Sequence, residues 1–216
     1  HQTVVGQEAI RQMELADDYP DVVVGCTGGG SNFAGLSFPF IGRKLRSEQD
    51  VRVVAVEPAN CPSLTKGKYA YDFGDTGQMT PLVKMHTLGS SFVPPSSHAG
   101  GLRYHGMAPL VSQLVNLGQV APTAYSQTEC FEAGVTFAKA EGILPAPEAN
   151  HAVKGALVEA MRCKEDGESR AILFNLCGHG YFDMQAYMDY SSGKLADHPY
   201  DESEVAMALA GLPSVA

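Results

Sequence analysis

The chain has 216 residues, 44% hydrophobic and 18% charged, which is the composition of one globular domain and too apolar for a disordered segment. Fifteen Lys and Arg stand against 24 Asp and Glu, giving a net charge of −9; this argues against a nucleic-acid or anionic-membrane surface, since both need clustered positive charge. No apolar run approaches the ~20 residues that cross a bilayer, and no signal-peptide pattern is read in the opening residues. The five cysteines (Cys26, Cys61, Cys130, Cys163 and Cys177) form no CxxC pair, a usage that fits a reducing cytoplasm better than a disulfide framework or a structural zinc site.

In chain order, His1 to Asp18 carries Val4, Val5, Ile10, Met13 and Leu15 at helical spacing and predicts an amphipathic helix. Asp21 to Cys26 is a β-branched run, read as a buried parallel strand. The glycine-rich Thr27–Asn32 follows, then helical character from Phe33 to Leu45, then a second strand from Val51 to Val56. Residues 57 to 118 are rich in Gly, Pro and Ser and are read as a long loop; such loops often carry function. A strand is expected at Val120–Tyr125, a helix at Thr128–Glu141 capped by Thr128, a helix at His151–Lys164 and a last strand at Ala171–Leu176. Strands alternating with helices imply an α/β fold, a parallel sheet flanked by helices in three layers, and residues 1–216 are read as one domain.

Four segments stand out chemically. Gly28, Gly29 and Gly30 let the backbone approach an anion, and the helix that follows adds its partial positive charge, so a phosphate fits; Ser31 and Asn32 add donors. No GK[ST] follows, and Phe33 stands where G-x-G-x-x-G needs its third glycine. The alternative is a tight turn with no ligand. In Glu141–Ala152, two prolines stop one helix and set Glu148 at the start of the next, where the helix dipole favours a carboxylate. Glu148 is either a plain acidic cap or a functional group, and its i, i+3 spacing to His151 resembles half of a metal pair that lacks a second half. Cys177, in Asn175–Gly180, suits three roles: a nucleophile with His179 as base, a neutral partner to a ligand atom, or a buried thiol. Finally, Ser96–Gly106, with His98, Arg103, Tyr104 and His105, is read either as a loop over an active site or as a solvated surface loop.

In their order and spacing these segments, from about Val23 to Asp183, resemble the C-terminal half of the tryptophan synthase β chain, within the fold-type II pyridoxal-phosphate enzymes. The opening His1–Glu8 and the segment Phe92–Gly106 resemble the divergent second branch of that family. The resemblance implies the large, C-terminal domain of that fold and pyridoxal 5'-phosphate as cofactor. It implies phosphate binding by Gly28, Gly29, Gly30, Ser31 and Asn32, and Glu148 beside the ring. Cys177 replaces a serine at the pyridine nitrogen, where a neutral partner leaves the ring unprotonated and favours β-replacement. Implied substrates are indole with serine or an O-substituted serine, giving tryptophan in a cytoplasmic lyase of amino-acid biosynthesis. The implied assembly is a homodimer of the full-length parent, with room for an α subunit.

Three departures accompany it. His179 and Tyr181 replace an arginine and an acidic residue, and Ser90-Ser91 replaces an aspartate that handles the substrate hydroxyl, which leaves the donor open. The family's Schiff-base lysine and acid–base glutamate lie upstream of the glycine loop, whereas every lysine here, from Lys44 onward, follows it. With His1 rather than Met at its start, the chain is expected to be part of a longer polypeptide and inactive alone. Other fold-type II β-replacing enzymes and a non-catalytic phosphate-binding module are the competing readings. A dinucleotide-binding domain, with Glu57 as its ribose acid, is a further one.

Overall fold

A computed structural model describes residues 1–214. Four parallel strands form the central sheet: β1 (Val22–Cys26), β2 (Arg52–Pro58), β5 (Ala121–Tyr125) and β6 (Ile172–Phe174), in the order β5-β2-β1-β6. Successive β-branched residues on β1 and β2 send their side chains to opposite faces. Val23, Val53 and Ala55 pack on one face with Phe33, Leu36 and Phe40 of α2 (Ser31–Leu45), each no more than 2% exposed. Burial of each of these large side chains is worth roughly 2–3 kcal/mol. α1 (Val4–Leu15) lies against α2. Val22, Val24, Val54 and Val56 face the other way with Ile172 and Phe174, where α6 (Pro147–Asp166) covers β1, β2 and β6 and α5 (Gln127–Glu141) packs on α6. The sheet is thus buried on both faces, which is why its strands read as continuous apolar runs.

The expected strands and the helices around them are present, with shifted ends. α5 is capped by Ser126 rather than Thr128: the Ser126 hydroxyl accepts from the Glu129 N–H (3.4 Å), and Glu129 Oε2 accepts from the Ser126 N–H (2.9 Å). This reciprocal box satisfies two donors, whereas Thr128 gives its N–H and hydroxyl to Asp197.

The long loop expected over 57–118 is instead structured. It holds the short α3 (Ser63–Lys66), the antiparallel hairpin β3 (Lys68–Phe73) with β4 (Leu82–Thr87), a 3-10 turn at Gly100–Leu102, and α4 (Pro109–Asn116). The buried member of β3 is a carboxylate: Asp72 accepts the Thr87 hydroxyl at 2.6 Å, and both residues are fully buried. A polar side chain at the inward position hides the strand from hydrophobic periodicity. Beyond the last expected strand come α7 (Met184–Ser191) and α8 (Glu202–Ala210); α8 sets Val205 and Ala208 on Cys61, Leu88 and Phe92.

Glu57, at the end of β2, serves the fold. Only 1% exposed, its carboxylate accepts the Leu64 and Thr65 N–H groups, both at 2.8 Å, and the Thr65 hydroxyl at 2.7 Å, tying down α3. A carboxylate with these partners is not free for a ribose. Burial outweighs these bonds and raises its pKa to about 7. His151, on α6, goes the other way: burial lowers its pKa to about 4, while its Nδ1 lies 3.0 Å from the Pro147 carbonyl.

In the unfolded chain Glu57 titrates near ~4.3 and His151 near ~6.5. Between ~4.3 and 7 the folded protein holds a proton on Glu57 that the unfolded chain has released, so this contribution is full at low pH and is lost as pH rises through about 7. His151 contributes stability above ~6.5 and loses it as pH falls through about 4, so the two partly cancel in the wild type. Glu57→Gln removes the first term alone. Its stability relative to wild type, from urea denaturation at several pH values, should rise on the order of a few kcal/mol between pH ~4.5 and ~7.5. A difference that stays flat would place the Glu57 pKa at its ordinary value.

Candidate functional site

In an open parallel sheet, ligands bind beyond the carboxyl ends of the strands, where successive connections diverge to opposite sides. That point here is β1. From it the chain passes through α2 to β2 on one side, while β6, its other neighbour, arrives through α6 on the opposite face. Thr27 to Asn32 leaves β1 at this point and lines a cavity of about 280 Å³ with Cys26, Gly101, Leu102, Tyr104, Glu148 and Cys177. All four chemically marked segments supply this lining together with Cys26, the Ser96–Gly106 segment through Gly101, Leu102 and Tyr104.

The glycine loop is held by its surroundings. Thr27 N–H donates to the Val56 carbonyl (2.8 Å), and the Gly29 carbonyl accepts from Ala108 N–H (2.9 Å). A Cβ on Gly28 would stand 2.6 Å from Leu102 Cα and 2.7 Å from the Gly101 carbonyl oxygen, both backbone atoms. Gly30 has φ +98°, a conformation that strains any residue with a Cβ. Among the described residues, no acceptor takes the N–H groups of Gly28, Gly29 or Gly30. Gly30 caps α2 without a side-chain bond, and the first turn of that 15-residue helix carries no acid. Unpaired N–H groups at an uncapped helix N-terminus make an anion site without any positive side chain. Asn32, next along, accepts from Asn175 Nδ2 at 2.9 Å, which joins the loop to the segment after β6.

Glu148 is the second residue of α6, behind Pro147, and its Oε1 accepts the Gly101 N–H at 2.9 Å. It therefore fixes the covering loop, while His151 turns inward to its own helix. The two share no ligand geometry, and no cluster of three or more metal-ligating side chains occurs among the described residues. The Glu148 segment is laced to the Cys177 segment by backbone bonds: Ala146 N–H to Gly178 O and Gly180 N–H to Leu144 O, both 2.8 Å.

Cys177 is exposed, and its Sγ lies 3.5 Å from Sγ of Cys26, which is 4% exposed. This hydrogen bond, followed by burial, pushes the Cys26 thiol well up, and the same bond holds Cys177 below the ordinary thiol range. Either sulfur can be the donor of the pair. His179 does not face Cys177: its Nδ1 accepts the Tyr181 N–H (3.3 Å), and its ring lies against Tyr181 and Phe182.

Sequence reasoning singled out the Ser96–Gly106 loop and named Tyr104 in it, but gave no sign of Leu102. Gly101, Leu102 and Tyr104 reach the site, the Tyr104 ring lying 3.3 Å from where a Gly29 Cβ would be. His98, Arg103 and His105 look elsewhere; Arg103 donates to the Pro94 carbonyl, and His105 Nε2 lies 2.8 Å from the Phe73 carbonyl. Cys26 carried no signal, being the last residue of an apolar strand.

An uncapped helix behind a glycine loop at a sheet switch point is an α/β arrangement suited to an anion. The chain belongs to the pyridoxal-phosphate dependent enzyme family, whose model matches residues 2–178. It is 62% identical over 200 residues to tryptophan synthase beta chain 2 of Aquifex aeolicus, covering 91% of this chain and 46% of the relative. Tryptophan synthase beta chain 2 of Methanosarcina mazei is 55% identical over 195 residues, covering 90% and 44%. The beta chain of Thermococcus onnurineus is 55% identical over 202 residues, covering 94% and 45%. The chain therefore spans about half the length of these relatives. In fold it is similar to a fungal L-serine ammonia-lyase from Rhizomucor miehei (TM-score 0.62, 18% identity, 90% of this chain and 56% of that one). It is also similar to threonine deaminase isoform 2 of Solanum lycopersicum (TM-score 0.59, 15% identity, 88% and 48%).

The packing of the glycine loop gives a direct expectation. Gly28→Ala forces a methyl against fixed backbone, so stability should fall by about 1–3 kcal/mol, or several degrees in Tm. A Cβ on Gly100 meets nothing within 4 Å, so Gly100→Ala should leave Tm nearly unchanged in the same thermal denaturation series.

Proposed function

We propose that this chain is a single α/β cofactor-phosphate-binding domain, the C-terminal part of a tryptophan synthase β-like enzyme. The parent protein makes L-tryptophan from indole and serine, or an O-substituted serine, by β-replacement in the cytoplasm. It acts as a homodimer and as a candidate partner for an α subunit. The observation that carries the reading is the cradle of unpaired N–H groups at Gly28–Gly30, opposite Cys177 and closed by Glu148 through Gly101. Its donor set fits pyridoxal phosphate: backbone dipoles for a dianion, and a thiol for a ring nitrogen. The competing dinucleotide reading loses its ribose acid, because Glu57 is committed to α3.

In this reading the Gly28–Asn32 backbone binds the phosphate, and Ser31 and Asn32 add side-chain donors. Cys177, with the Cys26 sulfur 3.5 Å away, would serve as the neutral partner of the ring nitrogen. Glu148 would stand beside the ring, and it holds the Gly101 backbone at the cavity. When bound, the cofactor supplies the electron sink for β-replacement. In this reading the amine that carries it belongs to the part of the parent that this chain does not span.

Two substitutions test the assignment. Gly29→Asp sets a negative charge beside the phosphate, where only the edge of the Tyr104 ring is crowded. Affinity for pyridoxal phosphate, measured by fluorescence titration of the intact protein, should fall more than tenfold, about 1.4 kcal/mol or more. An unchanged affinity would remove the loop from the cofactor site.

Cys177→Ser keeps a neutral donor and acceptor, so both cofactor affinity and β-replacement should survive. Cys177→Asp favours a protonated ring and should shift the ratio of β-replacement to side reactions. A dead Ser variant would make Cys177 a nucleophile instead.

A further inference from the structure

Two thiols face each other at the mouth of the site. Cys26 ends β1, and Cys177 stands three residues beyond the end of β6. These strands are hydrogen-bonded neighbours, with Val24 opposite Phe174. Adjacent strands run about 4.8 Å apart, within reach of the ~4.4–6.8 Å Cα separation that a disulfide needs. With Sγ atoms at 3.5 Å, closure needs a shift of only ~1.5 Å in the sulfurs. No other pair of cysteine sulfurs is in contact among the described residues; Cys61, for one, donates to the Tyr104 carbonyl at 2.7 Å.

We propose that Cys26 and Cys177 form an oxidant-dependent disulfide site, with Cys177 meeting a peroxide first and Cys26 resolving the product. The exposure of the two residues sets that order, since Cys177 is exposed and Cys26 is 4% exposed. In the first step the Cys177 thiolate sulfur attacks one peroxide oxygen; an S–O bond forms, the O–O bond breaks and hydroxide leaves, giving a sulfenic acid. In the second, the Cys26 sulfur attacks that sulfur; the S–S bond forms, the S–O bond breaks and the hydroxyl leaves with the Cys26 proton as water. Two electrons pass from the two sulfurs to the peroxide, and a dithiol reductant returns them. The lowered pKa of Cys177 supports the same order. The bond itself does not depend on the proposed function. Its consequence does: a Cys177 locked to Cys26 has no S–H left for a ring nitrogen.

The test treats the intact protein with hydrogen peroxide, blocks remaining thiols with iodoacetamide, and maps unreduced peptides by mass spectrometry. The expected product is the Cys26 peptide joined to the Cys177 peptide, separable by dithiothreitol. It should be abolished by Cys26→Ser, which leaves Cys177 on the path to sulfinic acid, and retained in Cys163→Ser. Sulfinic or sulfonic Cys177 in the wild type with Cys26 alkylated, or a Cys177 link to any other cysteine, would overturn the proposal. The oxidised protein should also bind pyridoxal phosphate at least tenfold more weakly and recover on reduction. A linked protein with unchanged cofactor affinity would keep the disulfide site and remove Cys177 from the cofactor's partners.

Discussion

The site depends on the pinning of the six residues that leave β1. The chain there is tied backward to β2 by Thr27 N–H and forward to the start of α4 by the Gly29 carbonyl. The backbone of Gly101 and Leu102 presses on Gly28 so closely that no side chain fits. With the Gly29 carbonyl and the flanks committed this way, the N–H groups of Gly28, Gly29 and Gly30 have no acceptor among the described residues. Preorganisation of that kind removes the ordering cost at the moment of binding. The three glycines thus serve packing while leaving their N–H groups without acceptors among the described residues.

Electrostatics raises an apparent difficulty, since a protein of net charge −9 is asked to hold a dianion. Screening limits distant charges to about one Debye length, roughly 8–10 Å, so the local groups decide. The first turn of α2 carries no acid, and Glu148, the one acid lining the cavity, has its Oε1 engaged by the Gly101 N–H. Glu148 also sits in the first turn of α6, whose dipole offsets part of its charge. The remaining local field is that of the α2 N-terminus, which is positive.

Much of this was legible in the sequence where one residue type has one physical use. The Val-rich runs gave β1 and β2 because strands buried on both faces must be apolar throughout. The glycine triplet, Glu148 and Cys177 were each marked by local chemistry, and the structure gathers all of them around one cavity. The hairpin of β3 and β4 was missed because its inward position is occupied by Asp72, bonded to Thr87, an arrangement with no hydrophobic signature. α4 was missed because eight residues with a Pro start and two buried side chains give periodicity too little to work with. At α5, both Ser126 and Thr128 suit a cap in type; only Ser126 stands three residues before the acid that completes a capping box.

What local reasoning could not reach was adjacency, and adjacency is what gives Cys177 its environment. The residue lies 151 positions from Cys26, and nothing at either position announces the other. They meet because β6 enters the sheet beside β1, on the side that β2 leaves free. The same topology sets the α6 N-terminus, and so Glu148, across from the α2 N-terminus. A parallel strand added at that edge brings the residues just beyond its C-terminal end to the mouth of the glycine loop, whatever their side chains. Fold therefore fixes the position, and the identity of residue 177 selects the chemistry. Serine there would give a hydrogen-bonding partner inert to oxidants. The thiol keeps that capacity, and beside a second thiol it also makes the site sensitive to them.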